Sequence, residues 1–268
     1  MHRAAYRSLG LPWRYEAIEV RADELSSFLD ACGPEWVGFS LTMPLKDEAW
    51  ALADEREVVA EQTRCANTLI RGERGWSAAN TDVEGLVTAV TAFLQDRPVI
   101  DGALAVQPAD IDTAVILGSG ATARSAAAAA VALGVQSLHV CARNQQTAQA
   151  VLEVAQICGV RQATTGPLTQ VAEVAGNADL VVSTLPGSAA GAILEEVTRQ
   201  RGAASSRQGI LVDVAYDPWP SALAQAWQPA PVISGLDMLL WQAVAQVELM
   251  TGRRPAVEPM WMAVHENA

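Results

Sequence analysis

The stretch Val115-Ile116-Leu117-Gly118-Ser119-Gly120-Ala121-Thr122-Ala123 constrains this chain more than any other. It reads as a short apolar strand, a G-x-G-x-x-A turn and the start of a helix of small residues. Gly118 makes the tight turn, Gly120 lets the backbone approach a pyrophosphate, and the small Ala123 lets helix and strand pack closely. The helix N-terminus then offers unpaired N–H groups and the positive end of its dipole to the phosphates. An ordinary strand-to-helix turn has the same glycines; the strand before and the helix after favour a dinucleotide site. Strict β-α repetition surrounds the loop. Strands are predicted at Thr113–Leu117, Ser137–Cys141, Leu180–Ser183, Ile210–Val214 and Pro231–Ile233, with helices at Ala121–Leu133 and Gln145–Cys158. Strands separated by helices imply a parallel, doubly wound sheet. The run Ala126–Ala130 is ordinary helix composition.

The end of the second strand bears on the cofactor. An NAD site usually places a carboxylate there for the ribose 2′-hydroxyl. This chain has Val140-Cys141-Ala142-Arg143-Asn144, with no acid. A guanidinium suits a 2′-phosphate, so Arg143 favours NADP, although a turn arginine at a surface is also common.

A chain of 268 residues is natural for two domains. The reading is α/β throughout: a substrate domain over 1–98 completed by C-terminal helices 236–268, a linker over 99–112, and a Rossmann-type NADP domain over 113–235. Lys plus Arg is 18 and Asp plus Glu is 30, a formal charge of -12 that argues against bulk nucleic-acid binding. The four cysteines are scattered without a CxxC pair, and the three histidines lie far apart, so neither a disulfide framework nor a metal site is indicated. No leader pattern and no uninterrupted apolar span stand out. The expectation is a cytoplasmic protein with a small-molecule substrate, as a monomer or homodimer.

The first domain has its own polar constellation. Arg14–Val20 alternates as a strand would, and Trp36–Leu41 is an apolar run before Thr42-Met43-Pro44, with Pro44 suited to a first helical turn. Cys65–Ile70 and Trp76–Ala79 read as a strand pair, and Asn80 or Thr81 would cap a helix running to about Leu94. Lys46, Asn67, Asn80 and Asp82 thus gather at strand ends and turns, where ligand crevices form. A lysine and a carboxylate brought together there can pass a proton to an alkoxide, as carbonyl reduction requires. Each has a plainer reading too: a solvated lysine, turn asparagines, a carboxylate favoured by a helix dipole.

Taken in order, these segments resemble the shikimate dehydrogenase family. The family's N-V-T-x-P-x-K turn is similar to Ser40-Leu41-Thr42-Met43-Pro44-Leu45-Lys46. Its A-V-N-T resembles Cys65-Ala66-Asn67-Thr68, and its G-x-N-T-D resembles Ala78-Ala79-Asn80-Thr81-Asp82. Its G-A-G-G-A-x-R loop resembles Gly118–Arg124, and its N-R-T clamp falls on Ala142-Arg143-Asn144. Asp213-Val214-Ala215-Tyr216-Asp217-Pro218 is similar to D-x-x-Y-x-P, and Gly235–Gln242 to G-x-x-M-L-x-x-Q. The resemblance implies Lys46 as general acid/base and Asp82 as its partner. It implies Thr42, Asn67, Asp82, Tyr216 and Gln242 around the substrate. Gly118, Ser119, Gly120, Ala121, Thr122, Arg143, Asn144, Val214 and Gly235 would hold NADP. The implied reaction interconverts 3-dehydroshikimate and shikimate in chorismate and aromatic amino-acid biosynthesis. A quinate or aminoshikimate dehydrogenase, or a non-catalytic ligand-binding paralogue, are the alternatives.

The departures also carry expectations. Ala142 and Asn144 replace the clamp's asparagine and threonine, Thr147 stands where a second basic residue is common, and Ser40 replaces an asparagine. The family has a strand and a G-x-P-x-x-H-S-x-S-P-x-x-H-N segment before its first helix. Met1-His2-Arg3-Ala4-Ala5-Tyr6 resembles the tail of that segment, so the paired serines that hold the substrate carboxylate are expected to be missing. The chain as written is then expected to bind NADP better than shikimate.

Overall fold

A computed structural model describes residues 1–95, 111–187, 190–191, 193–194, 198 and 209–265. Most of the expected linker lies outside the described residues. The chain divides into two compact units, Met1–Gly85 with Leu239–Ala268, and Leu86–Met238.

The second unit is built on a parallel sheet. Its strands are β5 (Thr113–Leu117), β6 (Ser137–Ala142), β7 (Gln162–Pro167), β8 (Leu180–Ser183), β9 (Ile210–Asp213) and β10 (Val232–Ser234). They lie in the order β10-β9-β8-β5-β6-β7. The sequence direction reverses on either side of β5, which makes the β5/β8 boundary the topological switch point. β5, β8 and β9 are buried almost throughout, as strands covered on both faces must be. Helix α6 (Ala121–Ala132) follows β5, and its Ala126–Ala130 run is buried on every side. The run is therefore more than ordinary composition: a helix buried all round needs small, apolar residues. Edge strand β7 was not expected from the sequence. Its half-exposed Gln-Ala-Thr-Thr-Gly-Pro pattern carries almost no apolar signal.

The registers align the carboxyl ends of the strands. Cys141, Leu117, Ser183, Asp213 and Ser234 stand side by side across the sheet. Arg143, Gly118, Val214 and Gly235 thus follow within one or two residues of a single row.

The first unit holds a four-stranded sheet in the order β1-β3-β4-β2. The strands are β1 (Gly38–Ser40), β2 (Glu55–Arg56), β3 (Thr68–Gly72) and β4 (Gly75–Ala79). Its core gathers Leu25, Leu41, Leu69, Trp76 and the alanines facing them. A second cluster packs Ala5 and Tyr6 of α1 (His2–Ser8) on Leu240, Val244 and Val247 of the long C-terminal helix Gly235–Thr251.

Two expectations fail here. Arg14–Val20 is not a strand. Alternation alone does not make one: a strand needs a neighbouring strand to bond to, and among the described residues no strand pairs with this stretch. Pro44 lies in the turn that precedes helix α3 (Lys46–Leu52) rather than in its first turn. The Leu45 N–H closes that turn on the Thr42 carbonyl at 2.9 Å. Among the described residues no helix is long and apolar enough to cross a membrane.

Candidate active site

Three short segments converge in the first unit. The Thr42–Leu45 turn delivers Lys46 to the first position of α3. The Lys46 carbonyl accepts the Ala66 N–H at 2.9 Å, and the Asn67 carbonyl accepts the Leu41 N–H at 2.7 Å. These bonds tie the turn to the residues entering β3. Strand β4 ends at Ala79, and Asn80 accepts the Asp82 N–H at 3.2 Å where helix α5 (Asp82–Gln95) begins.

The outcome is a buried ion pair. Lys46 Nζ donates to Asp82 Oδ2 at 2.6 Å, with the two side chains 13% and 5% exposed. Asn67 Nδ2 donates to the other oxygen, Oδ1, at 2.8 Å. It also lies 2.9 Å from Thr81 Oγ1 and 3.2 Å from Gln242 Oε1. The Asn67 Oδ1 accepts from the Thr81 N–H at 2.9 Å and from Thr68 Oγ1 at 2.8 Å. A carboxylate with both oxygens occupied by donors is fixed in place, and the lysine nitrogen against it is aimed.

The structure thus brings Lys46, Asn67, Asp82 and Gln242 together. Thr42 stays outside this network; its hydroxyl bonds the Met43 carbonyl at 3.1 Å. A cavity of 960 Å³ opens in the same unit between the stretch Pro12–Ala22 and the residues Val37–Leu45. Ser40 and Thr42 line it, whereas Lys46, Asn67, Asp82 and Gln242 do not. Edge strand β1 runs along this cavity.

Thr68 and Thr81, which stand in the motifs but were given no site role, belong to the network, as does Gln246, which was not anticipated. One signal for Gln246 was available. It stands four residues after Gln242, on the same helical face, as a polar residue in an otherwise apolar stretch.

The glycine loop sits in the second unit. Gly118 has φ +114, and a Cβ there would collide with Thr184 Oγ1. The fold itself therefore requires this glycine. Gly120 differs: a Cβ would meet nothing within 4 Å. Packing does not require glycine there, and the open space above its backbone fits a close-lying phosphate. Ala123 is fully buried, as the helix–strand packing demands. Ser119 Oγ and Thr147 Oγ1 are 2.6 Å apart and link the loop to helix α7 (Gln145–Ile157). Asn144 caps α7, accepting from the Gln146 and Thr147 N–H groups at 2.9 and 3.3 Å. Arg143 is exposed in the turn just before it, with Ala121 and Thr122 opening α6 alongside Gly120.

Val214 and Gly235 meet at the ends of β9 and β10, where a Cβ on Gly235 would strike the Val214 carbonyl. Asp213 anchors the loop that follows it. Its carboxylate accepts from Ser221 Oγ and from the Ala215 N–H, and burial pushes its pKa up. Ser221 in turn caps helix α9 (Ala222–Trp227). Tyr216 lies on this anchored loop and is 48% exposed.

A parallel sheet with a glycine loop at its switch point, together with a buried lysine–aspartate pair, defines a dinucleotide-dependent oxidoreductase. Comparison with known proteins is more specific. The model of the shikimate dehydrogenase substrate-binding domain matches residues 1–69, that of shikimate/quinate 5-dehydrogenase matches 104–218, and that of the shikimate 5′-dehydrogenase C-terminal domain matches 235–265. The shikimate dehydrogenase (NADP(+)) of Leptospira interrogans is 30% identical over 271 residues, covering 96% of this chain and 86% of the relative. Among solved structures, Mycobacterium tuberculosis shikimate dehydrogenase superposes with a TM-score of 0.82 at 38% identity, covering 99% of this chain and 92% of the other. The Thermus thermophilus enzyme in complex with NADP(H) and shikimate gives 0.76 at 26% identity, covering 100% and 93%. The chain belongs to the shikimate dehydrogenase family.

Proposed function

We infer that this chain is an NADP-dependent oxidoreductase that interconverts 3-dehydroshikimate and shikimate. The observation that carries the reading is the Lys46–Asp82 pair at 2.6 Å, fixed from behind by Asn67. Reduction of a ketone needs one hydride at carbon and one proton at oxygen. The dinucleotide, when bound, supplies or accepts the hydride. Lys46 Nζ supplies the proton to the developing alkoxide, and in the reverse direction removes it from the hydroxyl. Asp82 holds the ammonium in place and accepts from a substrate hydroxyl. Asn67 and Gln242 orient the substrate hydroxyls from the same buried wall, with Thr42 and Tyr216 as further substrate contacts.

Gly118 to Thr122 would hold the pyrophosphate at the N-terminus of α6, and Val214 and Gly235 would hold the dinucleotide further along the row. Arg143 would pair with the 2′-phosphate. The single positive charge of Arg143, with Asn144 engaged as a helix cap, makes it the main source of NADP preference. The test is a steady-state assay of the purified chain with shikimate and quinate, each with NADP and NAD. The reading expects the highest kcat/KM for shikimate with NADP. A preference for quinate or for NAD would overturn it.

A further inference from the structure

Gln246 lies one helical turn beyond Gln242 and is 1% exposed. Every hydrogen-bonding position of its amide is used. Its Nε2 donates to the Asn67 carbonyl at 3.1 Å and to Thr68 Oγ1 at 2.9 Å. Its Oε1 accepts from Ser40 Oγ at 2.9 Å and meets His2 Nε2 at 3.1 Å. The Asn67 carbonyl only accepts, so it fixes which end of the amide is nitrogen. His2 must then carry its proton on Nε2.

The bonds run in one direction from this amide. Gln246 donates to Thr68, and the Thr68 hydroxyl, its lone pair occupied, donates to Asn67 Oδ1 at 2.8 Å. Asn67, whose Oδ1 also accepts the Thr81 N–H at 2.9 Å, is held from this side too with its oxygen toward Thr68 and its nitrogen toward Asp82 Oδ1. With the Asn67 amide reversed, its oxygen would face a carboxylate oxygen, and the site would lose a donor and gain a repulsion. Aligned chains of this kind reinforce one another in a buried setting.

We propose that Gln246 is a positioning residue for the reaction, acting through Thr68 and Asn67 to set the donor that fixes the Asp82–Lys46 pair. The proposal rests on the acid–base reading of that pair. Gln246 does not touch the reacting atoms. Its effect falls on turnover, through the orientation of Asp82, rather than on substrate capture.

The experiment compares Gln246→Met, Thr68→Val and Thr68→Ser in the full chain, with turnover normalised to the folded fraction. Gln246→Met is also placed in the Lys46→Ala background. Gln246→Met and Thr68→Val each lower kcat about tenfold and change KM by less than about threefold, since misplacing a catalytic group acts on the transition state. Thr68→Ser keeps the hydroxyl and recovers most of the turnover lost in Thr68→Val. In the Lys46→Ala background, Gln246→Met causes no further loss, because residues that act as one unit are non-additive.

The proposal is overturned if Gln246→Met keeps normal kcat, if the loss appears wholly in KM, or if the same loss persists without Lys46. It is also overturned if Thr68→Ser is as poor as Thr68→Val. If Gln246→Met does not fold, the two Thr68 variants decide alone. Failure of the underlying reading is distinct: Lys46→Ala alone would then keep its turnover.

Discussion

Replacing Asp82 by Asn removes one charge and leaves the shape of the site nearly unchanged. Asn67 Nδ2 donates to Asp82 Oδ1, so the new amide must keep its oxygen on that side. Its nitrogen then takes the place of Oδ2 and faces the Lys46 ammonium, donor against donor. Lys46 is 13% exposed and loses its charge partner at 2.6 Å. Leaving one member of a buried pair uncompensated costs about 3–5 kcal/mol. Asp82→Asn is therefore expected to lose about that much stability in urea unfolding, and to lose turnover by about 10²–10⁴-fold. The double variant Lys46→Met with Asp82→Asn removes the stranded charge. It is expected to regain most of the lost stability and none of the lost turnover. If Asp82→Asn unfolds at the same urea midpoint as the parent chain, or the double variant is no more stable than the single, the pair is not held as a buried unit and the reasoning fails.

Arg143→Ala is expected to weaken NADP binding by about 10–100-fold and NAD binding far less, because charge-assisted bonds to a phosphate are worth about 1.5–3 kcal/mol; calorimetry with both cofactors checks this, and equal losses would place Arg143 away from the phosphate. Gly120→Val is expected to leave the melting temperature nearly unchanged, because space is open above the backbone, while NADP binding falls at least about tenfold; unaltered NADP affinity would remove the loop from the cofactor site. Burial lowers the pKa of His2 from 6.5 to about 4, so the folded chain keeps the ring neutral where the unfolded chain takes up a proton. Stability is expected to drop as pH falls from 6.5 to 4, by up to about 3 kcal/mol, and His2→Gln should abolish that part of the slope. An identical pH dependence in the variant would refute it.

The second unit was legible because its signals are local. The glycine loop, the apolar strands and the helices between them each announce themselves within a few residues. Edge strand β7 escaped because it is half-exposed and built from Gln, Thr, Gly and Pro. Arg14–Val20 was misread because alternation reports a face and not a hydrogen-bonded neighbour. In the first unit, Lys46 and Asp82 could be singled out from their turns, yet spacing alone did not distinguish them from surface residues; the family resemblance did. Gln246 was missed, and Thr68 was given no role, for a different reason. They are 178 positions apart in sequence and meet only after β3 and the C-terminal helix have packed.

The central claim is that Lys46 carries the proton of the reaction. Lys46→Ala should be measured in two ways on one preparation: kcat for shikimate oxidation with NADP, and shikimate affinity by calorimetry in the presence of the cofactor. The account predicts a fall in kcat of about 10²–10⁴-fold with affinity changed by less than about tenfold. Near-normal kcat in Lys46→Ala, or a loss seen only in affinity, would contradict it.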